Sequence, residues 1–409
     1  MRNFLRNSWF VISMLVGISA GCITGALWKG ATVLEPLGTI FVNLMFCVVV
    51  PMVFVSISSS IANMSSARRA GKIMGVTMLS FFITAAIAAI LMYTVARLVP
   101  LVTGQYEMSI GDVGSLNPGE MIVNFFTVPD FSDLLSRRAM LPLIVFSILF
   151  GFSVQLTGDS GKPVAKVLMS FNVSIMKMVK IITYYAPIGF FGFFACLVAN
   201  YGTQIISDYS CAMIVFFVVS LVYMLVSFPI YARFGGGKGA VRVMFKHILR
   251  PAVVSFGTCS SVAAIPTNMD VAQESGISKD VMDIVLPMGA TMHMDGSAMG
   301  AILKVAFLFG IFGMDFTGGQ AIFAIIVAVF SSVAMSGIPG GGGVGELVLC
   351  SIFFPEQMAV AYPIAIALGN LIDAPATMVN ASGDYVVSFI VSRFTDGKNW
   401  LQRSLKADE

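Results

Sequence analysis

The stretch LIDAPATMVNASGDYVVSFIVSR, residues 371–393, decides how the chain is read. It puts Asp373, Asn380 and Asp384 into an apolar run long enough to cross a bilayer. A charge at the bilayer centre costs roughly 2.5–3.5 kcal/mol on insertion scales, so such residues face the bundle interior and mark a pathway. On a helix, Asp373, Thr377, Asn380 and Asp384 follow one another at steps of four, three and four, which points all of them to one side. Carboxylate, hydroxyl and amide oxygens are the hard ligands that a small hard cation such as sodium prefers. A carboxylate also holds an ammonium group through a charge-assisted hydrogen bond. The acids are therefore expected to hold cations, one of which can belong to a substrate.

The rest of the chain supports a membrane setting. Of its 409 residues 57% are hydrophobic and only 11% charged, against about 25% charged in soluble domains. Its mean hydropathy is +0.90. A spanning helix takes ~20 apolar residues, so the length holds roughly a dozen spans. Weak β-alternation argues against a barrel, and helices remain to satisfy the backbone in lipid. The class is all-α and polytopic. Cys22, Cys47, Cys196, Cys211, Cys259 and Cys350 stand singly in apolar segments, without disulfide or zinc spacing. A net charge of +3 without a basic cluster gives no reason to expect a nucleic-acid partner. The basic start and the long apolar run up to Lys29 read as a retained first helix rather than a signal peptide.

Apolar segments fall near 9–28, 36–61, 73–99, 139–157, 163–198, 207–232, 252–268, 282–312, 320–354 and 358–392. Arginines and lysines such as Arg2, Arg68, Lys162, Arg233, Arg250 and Arg393 lie at alternate ends of these segments. The positive-inside rule then places both termini in the cytoplasm. Residues 99–136, with five acids and no basic residue before Arg137, read as an external loop. Segment 252–268 is short and flanked on both sides by cytoplasmic signals, so it is expected to re-enter from inside. Segment 320–354 contains SGIPGGGG, residues 336–343, and is expected to re-enter from outside. Two hairpins of opposite orientation, each followed by a helix with a polar middle, make an inverted repeat with a binding site near the midplane.

Two further motifs join the polar ladder. LPMGATMHMDGSAMG, residues 286–300, sets Asp295 before Gly296 and permits an unwound turn whose carbonyls face an ion. SFGTCSSVAAIPTNMD, residues 255–270, supplies hydroxyls and amides at a hairpin tip, suited to a carboxylate. SGIPGGGG supplies a tip that opens and closes. Lys304 and Glu346 are unusual charges in apolar surroundings and are expected to meet as a buried ion pair.

In this order the motifs resemble the dicarboxylate/amino acid:cation symporter family, the glutamate-transporter fold, over essentially the whole chain. The resemblance is carried by SFGTCSSVAAIP, by MDGS at residues 294–297, by SGIPG, and by DAPATMVNASGD at residues 373–384. It implies eight transmembrane helices, two re-entrant helical hairpins, and separate scaffold and transport domains. Residues 1–72 would be scaffold; 73–158 would hold a third, transport-domain helix, the external loop and a fourth helix. Residues 159–232 would hold a scaffold and a transport helix, and 233–409 the transport core. Substrate would be held by Ser260, Ser261, Met294, Ser297, Ile338, Gly342, Asp373, Ala376, Thr377 and Asn380, with the amino group on Asp373 and Thr377. Sodium ions would be held by Asp384 with carbonyls of Gly289, His293 and Asn380. A second site would use Thr291 with Ser332, Val333 and Ala334, and a third Asp295 with Thr84. Similar proteins are homotrimers of the plasma (inner) membrane whose transport domain moves like an elevator.

The departures from the family pattern shape the functional expectation. Acidic-amino-acid members carry an arginine at the position of Ala376 or Cys259, so a side-chain carboxylate would be left without a cationic partner here. Histidine stands at 293 where the family has asparagine; a protonated ring beside Asp295 is one way to replace an ion, and a neutral ring donating one hydrogen bond is the plainer reading. The expected function is sodium-coupled uptake of a small neutral amino acid of the serine, threonine or alanine type, in character closest to serine/threonine members. The alternatives are a proton-coupled symporter or one for another zwitterion, an ion channel or sensor on the same fold, and an intramembrane hydrolase. The last is disfavoured because no oxyanion hole accompanies Ser260 and His293.

Overall fold

The computed structural model describes residues 9–62, 68–104, 106, 123, 127–136, 139–334 and 343–407. Among these residues the regular structure is helical, with no strand. The helices are α1 (Trp9–Leu27), α2 (Glu35–Ala62), α3 (Arg68–Leu98), α4 (Met140–Leu156), α5 (Lys162–Thr183) and α6 (Ala186–Tyr201). They continue as α7 (Gln204–Gly236), α8 (Ala240–His247), α9 (Leu249–Thr258), α10 (Ser261–Glu274), α11 (Lys279–Met292) and α12 (Asp295–Ile311). The last are α13 (Gly318–Ala334), α14 (Gly343–Phe353), α15 (Met358–Thr395) and α16 (Trp400–Ala407). By length and composition α7, α15, most of α3 and the α11–α12 stretch are long and apolar enough to cross a membrane. Most of the expected loop 99–136, and the tip SGIPGGGG up to Gly342, lie outside the described residues.

Packing sorts the helices into two groups. Helices α1, α2, α4, α5 and α6 lie chiefly against one another, whereas α3, α7, α9 to α12 and α14 gather around α15, with α13 packed on α3 and α12. The first group uses a stripe that the sequence reading overlooked. Gly17, Gly21 and Gly25 lie on one face of α1, and a Cβ on each would fall 2.4–2.5 Å from the carbonyl oxygens of Pro187, Phe191 and Ala195 in α6. Small residues at four-residue spacing let two helices touch through their backbones, the route to tight packing where lipid removes the hydrophobic drive.

Several apolar runs break where the sequence changes its local preference. The run 163–198 divides at Tyr184 and Tyr185, because Pro187 suits the first turn of a new helix and not the interior of an old one. The run 252–268 divides at Cys259, whose φ of 47° is the left-handed turn residue between α9 and α10. Arg250 on α9 and Glu274 on α10 then pair across the open ends of these two helices, Nη1 lying 3.0 Å from Oε1. By contrast α15 runs unbroken through Pro363 and Pro375. Its neighbours keep it straight enough that the missing amide protons do not end it.

Near the start of α7, Asp208 is buried and accepts from the amides of Thr103 and Gly104, from the Thr103 hydroxyl at 2.9 Å, and from Tyr106 at 2.6 Å. Partial burial, with this carboxylate beside it, holds the Tyr106 phenol above its ordinary pKa. The segment after α3 is thereby pinned to α7.

Candidate functional site

The polar ladder of α15 is turned inward. Thr377, Asn380 and Asp384 are buried and Asp373 is half-buried. Thr377 Oγ1 donates to Asp373 Oδ1 at 3.3 Å, one helical turn away. Gly369, one helical turn before Asp373, lies against the Lys304–Glu346 pair. Among the described residues the one hydrogen bond shown for the Asp373 carboxylate is that long contact with Thr377.

Opposite the ladder, the α11–α12 break falls at His293 and Met294, where both residues are extended or irregular before Asp295 restarts the helix. Gly296 makes the break fit. A Cβ there would lie 2.2 Å from the Ala376 carbonyl oxygen, so the two backbones touch. Asn380 Oδ1 accepts from the Gly296 amide at 2.7 Å and from the Ser297 amide at 3.4 Å, covering the free start of α12. Its Nδ2 donates to Ser297 Oγ at 3.1 Å and to Met294 Sδ at 3.3 Å. Asn380, Met294, Ser297 and Ala376 are thus brought together, as the sequence reading expected of substrate-binding residues.

His293 is fully buried between two acids. Its Nδ1 lies 3.0 Å from Asp384 Oδ1 and its Nε2 lies 3.2 Å from Asp295 Oδ2. Asp295 is completed by Thr84 Oγ1, donating to Oδ1 at 3.0 Å, and by Tyr223, donating to Oδ2 at 2.7 Å. The ring stacks on Phe81, with centroids 4.5 Å apart and planes 22° from parallel. Both ring nitrogens face carboxylate oxygens, and Nε2 also lies 3.1 Å from Thr84 Oγ1, so the contacts admit a doubly protonated ring donating to both acids and a neutral ring donating to one. Thr84, His293, Asp295 and Asp384 therefore form one connected cluster.

Asp384 keeps one oxygen free of protein donors. Its Oδ2 is buried and has no hydrogen-bond partner among the described residues. Gly289 lies against the same side chain, since a Cβ on Gly289 would fall 2.4 Å from Asp384 Oδ1. A buried carboxylate oxygen facing no donor is paired with a cation or carries a proton.

The hairpin-tip hydroxyls are split in role. Ser260 Oγ accepts from the Ala263 amide at 3.2 Å and caps α10. Ser261 Oγ is buried with no partner among the described residues. Asn268 on α10 donates to the Ala381 carbonyl at 2.8 Å, fixing the hairpin to α15. Thr291 Oγ1 donates to the Met288 carbonyl at 3.0 Å and Ser332 Oγ to the Val329 carbonyl at 2.8 Å. α11 also packs against α13, whose last turn carries Val333 and Ala334. Ile338 and Gly342 lie outside the described residues. The expected ion pair is formed: Lys304 Nζ bonds Glu346 Oε1, with both side chains buried.

Tyr223 and Phe81 are the site residues that the sequence reading missed. Tyr223 and Tyr231 stand eight apart on α7, close to one helical face, and their hydroxyls lie 3.2 Å apart. Two polar-tipped aromatics repeating at that interval in an apolar span were the available signal. Phe81 carries no such mark among the many phenylalanines of the chain.

Comparison with known proteins agrees with the geometry. The model of the sodium:dicarboxylate symporter family matches residues 9–394. A C4-dicarboxylate transport protein of Rhizobium leguminosarum is 27% identical over 97% of this chain and 91% of its own length. A protein of the same description from Brucella anthropi is 26% identical over 94% and 88%. A proton/sodium-glutamate symport protein of Bacillus caldotenax is 26% identical over 95% of both chains. These relatives are named for dicarboxylates and glutamate, and not for serine or threonine as the sequence reading anticipated.

Proposed function

The chain belongs to the sodium:dicarboxylate symporter family, a family of transporters and not of enzymes, and we propose that it performs sodium-coupled uptake of a small zwitterionic amino acid. The observation that carries this reading is the charge inventory around Asp373. Asp373 is a half-buried carboxylate with one long contact to Thr377, and among the residues whose burial is described the single buried lysine or arginine, Lys304, is already engaged by Glu346. A carboxylate attracts an ammonium group and repels a second acid. The substrate amino group rests on Asp373 and Thr377. Its carboxylate meets the buried, unpartnered Ser261 hydroxyl and the Asn380 amide.

Sodium enters as cargo. One ion binds Asp384 through Oδ2, with carbonyl oxygens from Gly289, His293 and Asn380, and a second lies between Thr291 and the end of α13 at Ser332, Val333 and Ala334. Around Asp295 and Thr84 the imidazolium of His293 supplies the charge of a third. Ion and substrate raise each other's affinity. The group packed about α15 acts as the transport domain, and the α1, α2, α4–α6 group as the scaffold, in an elevator-like exchange within an inner-membrane homotrimer. Helices α9–α10 and α13–α14 are its two re-entrant hairpins, alongside eight spanning helices. Both termini face the cytoplasm.

A second reading, uptake of a C4-dicarboxylate or glutamate, is favoured by the names of the relatives. One experiment separates the two. Counterflow of radiolabelled serine, alanine, glutamate and succinate is measured in proteoliposomes, in sodium and in choline. Sodium-dependent exchange of serine or alanine is the expected result; exchange confined to succinate or glutamate would replace this reading with the second.

A further inference from the structure

The Lys304–Glu346 pair touches neither substrate nor ion in the transport reading, yet it lies one helical turn from Asp373. Glu346 belongs to the first turn of α14 and Lys304 to α12, and the two meet over Gly369 of α15. A Cβ at Gly369 would lie 2.4 Å from Glu346 Oε1 and 3.6 Å from Lys304 Nζ, so the glycine makes the space that the pair fills. Gly369 is four residues before Asp373, on the same face of the helix, where side chains of such neighbours start about 5–6 Å apart. The ammonium group therefore sits roughly one helical turn from the carboxylate that receives the substrate amine, within reach of a short diacid.

The pair is also incompletely satisfied. Glu346 engages Lys304 through Oε1 alone; its Oε2 is buried and has no hydrogen-bond partner among the described residues. A pair built only to stabilise the fold gains little over apolar side chains of similar volume, because desolvation offsets the attraction. What it does provide is a cation whose charge is cancelled from within the protein.

We propose that Lys304 is a masked specificity residue, and that Glu346 occupies the place of a substrate's second carboxylate and so excludes dianionic substrates. This rests on the assignment of Asp373 to the substrate amine. Removing the mask exposes the ammonium group toward the pocket and admits aspartate or succinate. Removing mask and cation together restores the exclusion.

The test uses the full chain in proteoliposomes, with sodium-driven uptake of radiolabelled serine or alanine challenged by unlabelled succinate and aspartate. Wild type is expected to be insensitive to both. Glu346→Gln is expected to become inhibited at concentrations lower by about tenfold or more, the scale of one charge-assisted contact. Lys304→Met combined with Glu346→Gln is expected to lose that gain, which a purely structural pair would not do. If Glu346→Gln does not reach the membrane folded, Glu346→Asp withdraws the carboxylate by one methylene and is expected to show a smaller gain in the same direction. A folded Glu346→Gln or Glu346→Asp protein that takes up serine or alanine with unchanged diacid inhibition overturns the proposal. Succinate uptake by wild type overturns the zwitterion reading itself, and is seen before any variant is made.

Discussion

Replacing His293 by asparagine removes the ring that bridges Asp295 and Asp384 and leaves the surrounding donors in place. In the proposed charge assignment two carboxylates and one imidazolium carry a single net negative charge, which one sodium ion at Asp384 would neutralise; without the ring two negative charges would remain. Thr84 and Tyr223 still serve Asp295, at 3.0 and 2.7 Å, but Asp384 loses the donor that lies 3.0 Å from its Oδ1. Breaking a buried ion pair from one side costs about 3–5 kcal/mol, two or more decades in an equilibrium. In choline buffer the variant is therefore expected to unfold at a markedly lower temperature than wild type. Sodium is expected to restore most of the difference, because a second ion enters the space the ring leaves. The assay is thermal unfolding of the purified protein across a sodium series, paired with uptake against sodium concentration. The Hill slope of uptake is expected to rise by about one. A His293→Asn protein with wild-type stability in choline and an unchanged slope would refute the role of the ring as a resident cation.

Asp373→Asn removes the charge that receives the substrate amine, and a weakening of substrate binding by about thirtyfold or more is expected, the range for truncating one partner of a buried charge pair; equilibrium binding of radiolabelled substrate checks it. Gly289→Ala places a methyl group 2.4 Å from Asp384 Oδ1 and must displace the carboxylate; the sodium concentration for half-maximal uptake is expected to rise severalfold while the protein still folds. Gly21→Val drives a side chain into the Phe191 carbonyl, where even a Cβ would lie at 2.5 Å; separation of α1 from α6 is expected to lower thermal stability by about 1–3 kcal/mol, read as a fall in unfolding temperature with substrate affinity unchanged.

The ladder was legible because its residues are polar in an apolar run and their four-three-four spacing admits one helical face. The break at His293 and Met294 was legible because Asp295, Gly296 and Ser297 favour a turn over a continuous apolar helix. Lys304 and Glu346 were legible as a pair because neither charge is tolerable alone. Other features were hidden for physical reasons. Tyr223 serves Asp295 through one hydroxyl on a side chain that otherwise reads as core. Gly17, Gly21 and Gly25 look like ordinary membrane-helix composition until α6 is laid against them. The division of 163–198 at Tyr184 leaves no gap in hydrophobicity, since two apolar helices joined by a tight turn sum to one apolar run. The substrate's identity is the least legible of all. Relatives that share about a quarter of the sequence are named for diacids, while the local charge balance at Asp373, Lys304 and Glu346 favours a zwitterion.

The central claim is that the two carboxylates of α15 hold cations of different origin, sodium at Asp384 and the substrate amine at Asp373. Equilibrium binding of radiolabelled serine and alanine across a sodium series, for wild type and Asp384→Asn, measures that link directly. Affinity that rises with sodium in wild type, and becomes indifferent to sodium in Asp384→Asn while some binding persists, is the expected result. Binding to wild type that is tight and equal in sodium and in choline would contradict it.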